Sequence, residues 1–574
     1  MAGKVAIGIQ DFSTIIENNC FYVDKTDFIK EWWENLDTVT LITRPRRFGK
    51  TLTMSMTEQF FSFKYSGRSD LFENLKIWKD EKYRKLQGAY PVIFLSFANI
   101  KGGSFETVRK KICQEIVNLY EDHRYLLNGG LFMDGSAEYF NRVSIDLDNA
   151  DLEAALGQLS RYLYKYYGKK AVILLDEYDT PMQEAYVNGY WDEMAVLMRG
   201  LFNSAFKTNP YLERGLLTGI TRISKESIFS DLNNLEVITT TSGKYSTAFG
   251  FTEKEVFHAL DEYGLQNEKK KVREWYDGFR FGNSDTIYNP WSIINFLDKR
   301  KFMNYWTNTS SNSLIGKLIL EAGPEVKIVM EDLIRGDAFS TYIDEEIVYN
   351  QLEHNENAIW SLLLAGGYLK AVENIEDDEY GMKYKLMLTN LEVKKMFLKI
   401  IQGWFSDGRT EYNHFEKALL SGSLKEMNIY MNKISLNTFS YFDTGRKASE
   451  TSEPERFYHG FVLGLLVNLQ KRYEVTSNRE SGYGRYDVML TPLDVKKDGI
   501  ILEFKVLDDE CSLDDTVKAA LKQIMEQKYA SALETKGINR SKIRIYGFAF
   551  SGKKVLIDGG YLNEVWSLLG PSVK

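Results

Sequence analysis

Residues Asp37 to Phe61 place a short β-prone run, an Arg44-Pro45 interruption and a helix-compatible run, Leu52 to Phe61, in immediate succession. This strand, loop and helix constrain the fold more than any other segment, because the strand run turns fully apolar and so has to be buried. Pro91 to Phe97 and Ala171 to Leu175 repeat the pattern, with Gly215 to Thr218 as a fourth candidate strand, and helical spacing such as Asp151 to Tyr167 lies between them. Near-continuous apolar strands alternating with helices predict a parallel sheet covered on both faces.

The chain has 574 residues, more than one hydrophobic core supports, so several domains are expected. The sheet domain is predicted over 1–245. From Phe251 the pattern changes to short helices punctuated by aromatics, which predicts a helical lid or winged-helix-like region over 246–370. A connecting stretch follows over 371–450, in which Glu376-Asp-Asp-Glu379 is expected to tip an exposed hairpin and Asp443 to Pro454 reads as a linker. A C-terminal domain is predicted over 451–574, opening with a helix over Glu455 to Leu469 and continuing with β-rich runs at Tyr486 to Leu490 and Gly499 to Phe504.

A formal net charge of -8 argues against a surface built as a whole to hold nucleic acid, so any such contact must come from a local basic groove. The cysteines Cys20, Cys113 and Cys511 have no ligand partner at metal-site spacing and fit a reducing, cytoplasmic setting. The apolar runs Val5 to Ile9 and Phe461 to Leu469 are too short for a signal core or a bilayer span, so no membrane segment is expected.

Phe48-Gly49-Lys50-Thr51 opens the helix after the first strand, where backbone N–H groups and the helix start can surround phosphate oxygens. The reading is a P-loop for ATP and Mg2+ (the Walker A element). Lys50 reaches the phosphates as a point charge and the Thr51 hydroxyl is a magnesium ligand. Arg44 stands where the first glycine of G-x-x-x-x-G-K-T belongs, so the loop is expected to be wide, with Arg44, Arg46 or Arg47 adding positive charge beside the phosphates. Asp176 and Glu177, at the tip of a strand expected to neighbour the P-loop strand, supply the Walker B pair. Asp176 holds magnesium and Glu177 polarises the attacking water. Arg222, ending Leu216-Leu-Thr-Gly-Ile-Thr-Arg222, either senses the terminal phosphate or donates to the developing charge as a catalytic group, or only ties the lid to the core by an ion pair.

Four segments together, Tyr22-Val-Asp-Lys-Thr26, Arg44-Pro-Arg-Arg-Phe-Gly-Lys-Thr51, Leu175-Asp-Glu-Tyr-Asp-Thr180 and Leu217-Thr-Gly-Ile-Thr-Arg222, resemble the bacterial AAA-ATPase-like family. Phe249-Gly-Phe-Thr-Glu-Lys-Glu255, Trp275-Tyr-Asp-Gly-Phe279 and Tyr305-Trp-Thr-Asn-Thr-Ser310 extend the likeness over nearly the whole chain. The resemblance implies that an arginine-rich loop without its first glycine is usual, so Arg44 need not mark a dead site. It also implies a C-terminal α/β domain of the restriction-endonuclease-like, PD-(D/E)XK type.

Metal-dependent phosphodiester cleavage needs two carboxylates that share a divalent cation and a group that orients water. Asp487 and Ile501-Leu-Glu-Phe-Lys505 offer that set, since alternation along a strand puts Glu503 and Lys505 on one face and Phe504 on the other. The family likeness then implies that Asp487 and Glu503 bind metal, that Lys505 acts on water, and that Glu455 and Gln523 complete the pocket. His459 shares a helical face with Glu455 and is read as a packed or partly exposed residue outside the catalytic set. Phe60-Phe61-Ser-Phe63 and Tyr162 to Tyr167 are read as core and helix faces, and Lys269-Lys-Lys271 as a solvated helix face.

The expected function is an ATP-driven switch controlling a metal-dependent nuclease-like domain that acts on nucleic acid, with a protein partner or a second copy as further company. The alternative is an ATPase scaffold whose C-terminal domain binds nucleic acid or protein without cleaving it.

Overall fold

The structure is a computed structural model that describes residues 3–129, 137–207, 209–223, 228–229, 232–309, 315–316, 318–319, 322, 324–344, 356–377, 381–404, 409–438, 469, 472–481, 484–507, 511–552 and 554–569. The chain forms two compact units, one of Met1–Asn312 with Ala338–Lys394 and one of Ser313–Asp337 with Lys395–Lys574.

The first unit is built on strands β1 (Val39–Thr43), β2 (Val92–Ser96), β3 (Ala171–Asp176), β4 (Leu212–Gly219) and β5 (Leu235–Ile238). They form an all-parallel sheet in the order β2-β3-β4-β1-β5. Every residue of β1 and β3 is buried, as the apolar runs require of strands covered on both faces. β4 lies between β1 and β3, so the strand carrying Asp176 is not the immediate neighbour of the strand that leads into Gly49-Lys50-Thr51, contrary to the sequence expectation. β5, on the far side of β1, is only partly buried and was not read from the sequence.

Beyond this sheet come the helices Glu253–Glu262, Lys269–Tyr276 and Pro290–Lys299. They pack around a small antiparallel sheet of β6 (Phe251–Thr252), β7 (Phe279–Phe281) and β8 (Ser284–Tyr288), ordered β6-β8-β7. The first of these helices starts with a capping box, in which the Thr252 hydroxyl accepts from the Glu255 N–H and the Glu255 carboxylate accepts from the Thr252 N–H. Strands β9 (Phe339–Tyr342), β10 (Leu369–Asp377) and β11 (Gly381–Leu388) make another antiparallel sheet. β10 and β11 flank the acidic segment in hairpin register, with Asp377 opposite Gly381. Residues 378–380 lie outside the described residues, as do the proposed linker and residues 455–468 of the helix expected before the C-terminal sheet.

The second unit carries a mixed sheet of β12 (Tyr473–Ser481), β13 (Gly484–Pro492), β14 (Gly499–Val506), β15 (Ile543–Ser551) and β16 (Lys554–Tyr561) in sequential order. Only the β14–β15 pair is parallel, and the helix Leu513–Glu526 lies within its crossover. Ile500, Leu502 and Phe504 pack on one face with Phe415, Leu419 and Met431. Ile501 packs on the other face with Leu521, Ile524 and Leu533. The outer edge of β16 is closed by side chains. Asn428 exchanges two hydrogen bonds with the backbone of Ile557, and Asn432, one helical turn on, does the same with Val555. These amides satisfy edge groups that would otherwise be open to another strand. Among the described residues no helix is long and apolar enough to cross a membrane.

Candidate functional site

Gly49 precedes the helix Lys50–Phe61 with φ +83°, a left-handed conformation that glycine adopts at no steric cost. The buried Lys50 ammonium folds back over the loop and donates to the carbonyls of Arg44 and Pro45, both at 2.9 Å. Burial pulls its pKa down, while Glu177, Asp176 and Asp179 favour the charged form. Asp176, fully buried at the end of β3, accepts from the Thr51 hydroxyl at 2.7 Å on one oxygen and from the Thr218 hydroxyl on the other. The carboxylate therefore reaches past the tip of β4 to the helix that follows β1. Glu177 stands next to it with φ +51°, and burial followed by the neighbouring Asp176 raises its pKa.

The arginines of the loop go to three different places. Arg44 was expected to add charge near phosphate, but its guanidinium is buried and donates to the carbonyls of Thr43 (2.9 Å) and Thr239 (2.7 Å), with the ring of Phe281 4.6 Å away. Burial lowers its pKa to about 9, which leaves it charged at neutral pH. The physical reason is that an arginine in the glycine position can brace the strand ends through carbonyls and a ring face, and so replaces backbone freedom with a fixed turn. Arg46 is exposed and reaches Gln183 at 3.4 Å, and Arg47, itself at φ +64°, lies over Trp291 at 4.5 Å. Phe48 offers only its backbone to a ligand, because its ring packs on Phe279 and Phe281.

Two residues that the sequence reading left without a role hold the far side of the site. Tyr178 donates to the Thr221 carbonyl at 2.8 Å and accepts from the Ile223 N–H at 3.1 Å. One oxygen of the buried Asp179 accepts from Ile220 N, Thr221 N and the Thr221 hydroxyl, each at 3.0 Å, and from the Gln183 amide at 2.9 Å. Gly219 lies so close that an added Cβ would sit 2.6 Å from the Tyr178 ring. The Asp176-to-Thr180 and Thr218-to-Arg222 segments are thus two halves of one clamp. Arg222 is half-buried and lines a small cavity with Thr43 and Thr239.

The aromatic segments of the smaller sheet and helices hold the loop from the other side. The Arg46 carbonyl accepts from the Trp306 indole at 3.0 Å and from the Asn289 amide at 3.3 Å. Both donors are tied to Glu392, in the first turn of the helix Leu391–Trp404. Its buried carboxylate accepts from Ser292, three residues after Asn289, at 2.8 Å and from the Thr307 N–H at 3.1 Å. Burial raises the pKa of Glu392, and these donors oppose the rise.

In the second unit the ladder between β13 and β14 stops at Val488 opposite Leu502. One residue on, the Asp487 carboxylate accepts from the Phe504 N–H at 2.8 Å. Glu503 is 2% exposed and accepts from the Gln523 amide, while Phe504 packs into the opposite face of the sheet. Lys505 follows on the Glu503 side, half-buried. The fork therefore brings together Asp487, Glu503 and Gln523, and Glu455 lies outside the described residues. The sequence reading missed Tyr529, whose buried hydroxyl is 3.4 Å from the Gln523 amide and whose pKa is raised by burial and also by Glu503 and Asp487. Hard carboxylate oxygens of this kind suit Mg2+. Among the described residues no cluster of three or more His, Cys, Asp or Glu side chains forms a ready metal site.

Residues 6–229 match the family described as a predicted AAA-ATPase, and residues 453–559 match the PD-(D/E)XK nuclease superfamily. The chain is also similar to an uncharacterized protein from the vnfD 5' region of Azotobacter chroococcum mcd 1, with 27% identity over 395 residues covering 68% of each chain.

Proposed function

We propose that this chain, an AAA-ATPase-like domain joined to a PD-(D/E)XK nuclease-superfamily domain, is an ATP-binding and ATP-hydrolysing switch that controls metal-dependent cleavage of nucleic acid in the cytoplasm. One observation carries the nucleotide half of this reading: the two oxygens of Asp176 are engaged by the hydroxyls of Thr51 and Thr218, with Lys50 and Glu177 beside them. Lys50 leaves the Arg44 and Pro45 carbonyls for the phosphates, and backbone N–H groups of 46–51 surround them. Thr51 and Asp176 would hold Mg2+, which would neutralise charge on the phosphate oxygens. Glu177, its proton affinity raised by burial, accepts the proton of the attacking water.

In the second unit Asp487 and Glu503 would hold the divalent ion, which would polarise the scissile phosphate. Lys505 orients water there, and Gln523 fixes the Glu503 carboxylate. Isothermal titration with Mg2+-ATP tests the first half, since Lys50→Ala is expected to lose binding, and retained affinity would contradict the phosphate role. Cleavage of single-stranded and duplex DNA and RNA with Mg2+ or Mn2+ tests the second. Asp487→Ala is expected to abolish it, and a parent that leaves every substrate intact leaves the C-terminal domain a non-cleaving module.

A further inference from the structure

An acidic chain that handles nucleic acid needs a local basic groove, and the first unit has one away from the phosphate loop. It lies between the helix Lys269–Tyr276 and the end of the helix Pro290–Lys299, with a volume of about 590 Å3. Lys271, Arg300 and Lys301 line it with Trp275 and Phe302, and Glu268 is the single carboxylate on its wall. Of the run Lys269 to Lys271, Lys269 pairs with Asp261, whereas Lys271 turns into the groove with its ammonium 4.4 Å from the centre of the Phe302 ring. Among the described residues no ion pair holds Lys271, Arg300 or Lys301, and all three are exposed.

Arg300 adds a second, independent sign. It caps the helix Pro290–Lys299 with φ +51°, a left-handed position where glycine is the inexpensive choice. A long cation kept in a strained backbone conformation at a groove wall points to a use for its charge.

We infer that this groove binds single-stranded nucleic acid, with phosphates on Lys271, Arg300 and Lys301 and an unpaired base against the half-buried rings of Trp275 and Phe302. Excess positive charge on the wall selects a polyanion. Part-exposed aromatic rings in its lining select a strand whose bases are not already stacked in a duplex. The groove is built from none of the residues proposed for cleavage, so its occupancy does not depend on cleavage.

The test is fluorescence anisotropy with labelled oligo-dT and oligo-U and a matching duplex, using the full chain carrying Asp487→Ala so that no probe is cut. Removing the three cations together (K271A, R300A and K301A) is expected to weaken single-strand binding at least tenfold and to reduce the slope of log affinity against log salt by about 2, at roughly 0.7 per phosphate contact. Arg300→Gly relieves the strained cap, so it is expected to keep or raise the melting temperature while still weakening binding several-fold. The inference is overturned if the parent binds no single strand, if affinity and salt slope stay within twofold in the triple variant, or if duplex binding falls in parallel with single-strand binding. A parent that binds through this groove yet cuts nothing would instead remove the nuclease reading and leave the groove standing.

Discussion

Asp179→Ala is the sharpest probe of the clamp behind the proposed nucleotide site. The substitution withdraws one buried acceptor from two backbone N–H groups, a hydroxyl and an amide. At roughly 1–2 kcal/mol for each buried donor that loses its acceptor, less what water recovers, the cost is about 4 kcal/mol, near the upper edge of single-substitution effects. An unfolding entropy of about 2 cal/mol/K per residue over a unit of about 370 residues turns this into a midpoint drop of about 5 °C. Asp179→Asn is expected to cost less than half as much, because its carbonyl can face Ile220 and Thr221 while a turned Gln183 amide accepts from its NH2. Differential scanning calorimetry resolves the two variants, and the transition that ATP shifts is expected to belong to the first unit. Loosening the Thr218-to-Arg222 segment should also slow ATP hydrolysis, because the Thr218 hydroxyl bonded to Asp176 lies at its start. A midpoint within 1 °C of the parent for Asp179→Ala, or equal drops for both variants, would refute the four-donor account.

Three further outcomes follow from the same geometry. Trp306→Phe keeps an aromatic ring but removes the donor to the Arg46 carbonyl, a loss of about 1 kcal/mol, so ATP affinity measured with a fluorescent analogue should fall about fivefold; unchanged affinity would mean that the loop does not need this hold. Glu177→Gln should retain ATP binding while slowing hydrolysis about 100-fold or more, and parental hydrolysis should decline with falling pH in a window displaced above the usual glutamate range, because the Glu177 pKa is raised. Asp277, whose pKa burial raises to about 6, contributes stability that is fully present below its unfolded value and lost as pH rises through about 6. Asp277→Asn should therefore gain relative to the parent between pH 4 and pH 7, by about 1 kcal/mol after screening of this partly exposed group, and a pH-independent difference in denaturation midpoints would contradict it.

The parallel sheet was readable mainly from β2 and β3, which are nearly continuous apolar runs, and from the apolar ends of β1 and β4, whose first halves carry threonine or the pair Glu213 and Arg214; the helix start was readable because the glycine before Lys50 is a local signal. β5 escaped because Leu-Glu-Val-Ile is short and half-buried. β15 escaped because Arg544 and Gly547 interrupt its pattern. Arg544 is buried by donating to the carbonyls of Leu419 and Leu420 and pairing with Asp498 at 3.0 Å. Gly547 is required where the helix Leu513–Glu526 passes, since an added Cβ would lie 2.7 Å from the Val517 carbonyl. The roles of Asp179 and Glu392 depend on partners about 40 and 100 residues away, which no periodicity reveals. Arg44 was placed beside phosphate by its motif position, and the rings and carbonyls that bury it come from elsewhere in the chain.

In the proposed switch, nucleotide on the first unit governs chemistry in the second. The most direct measurement is the initial rate of cleavage of a labelled single strand by the full chain with Mg2+, with and without ATP, for the parent and for Lys50→Ala. For such a switch the parental rate is expected to change several-fold on adding ATP, and the Lys50→Ala rate is expected not to respond. A parental cleavage rate indifferent to ATP under conditions where ATP is bound would contradict it.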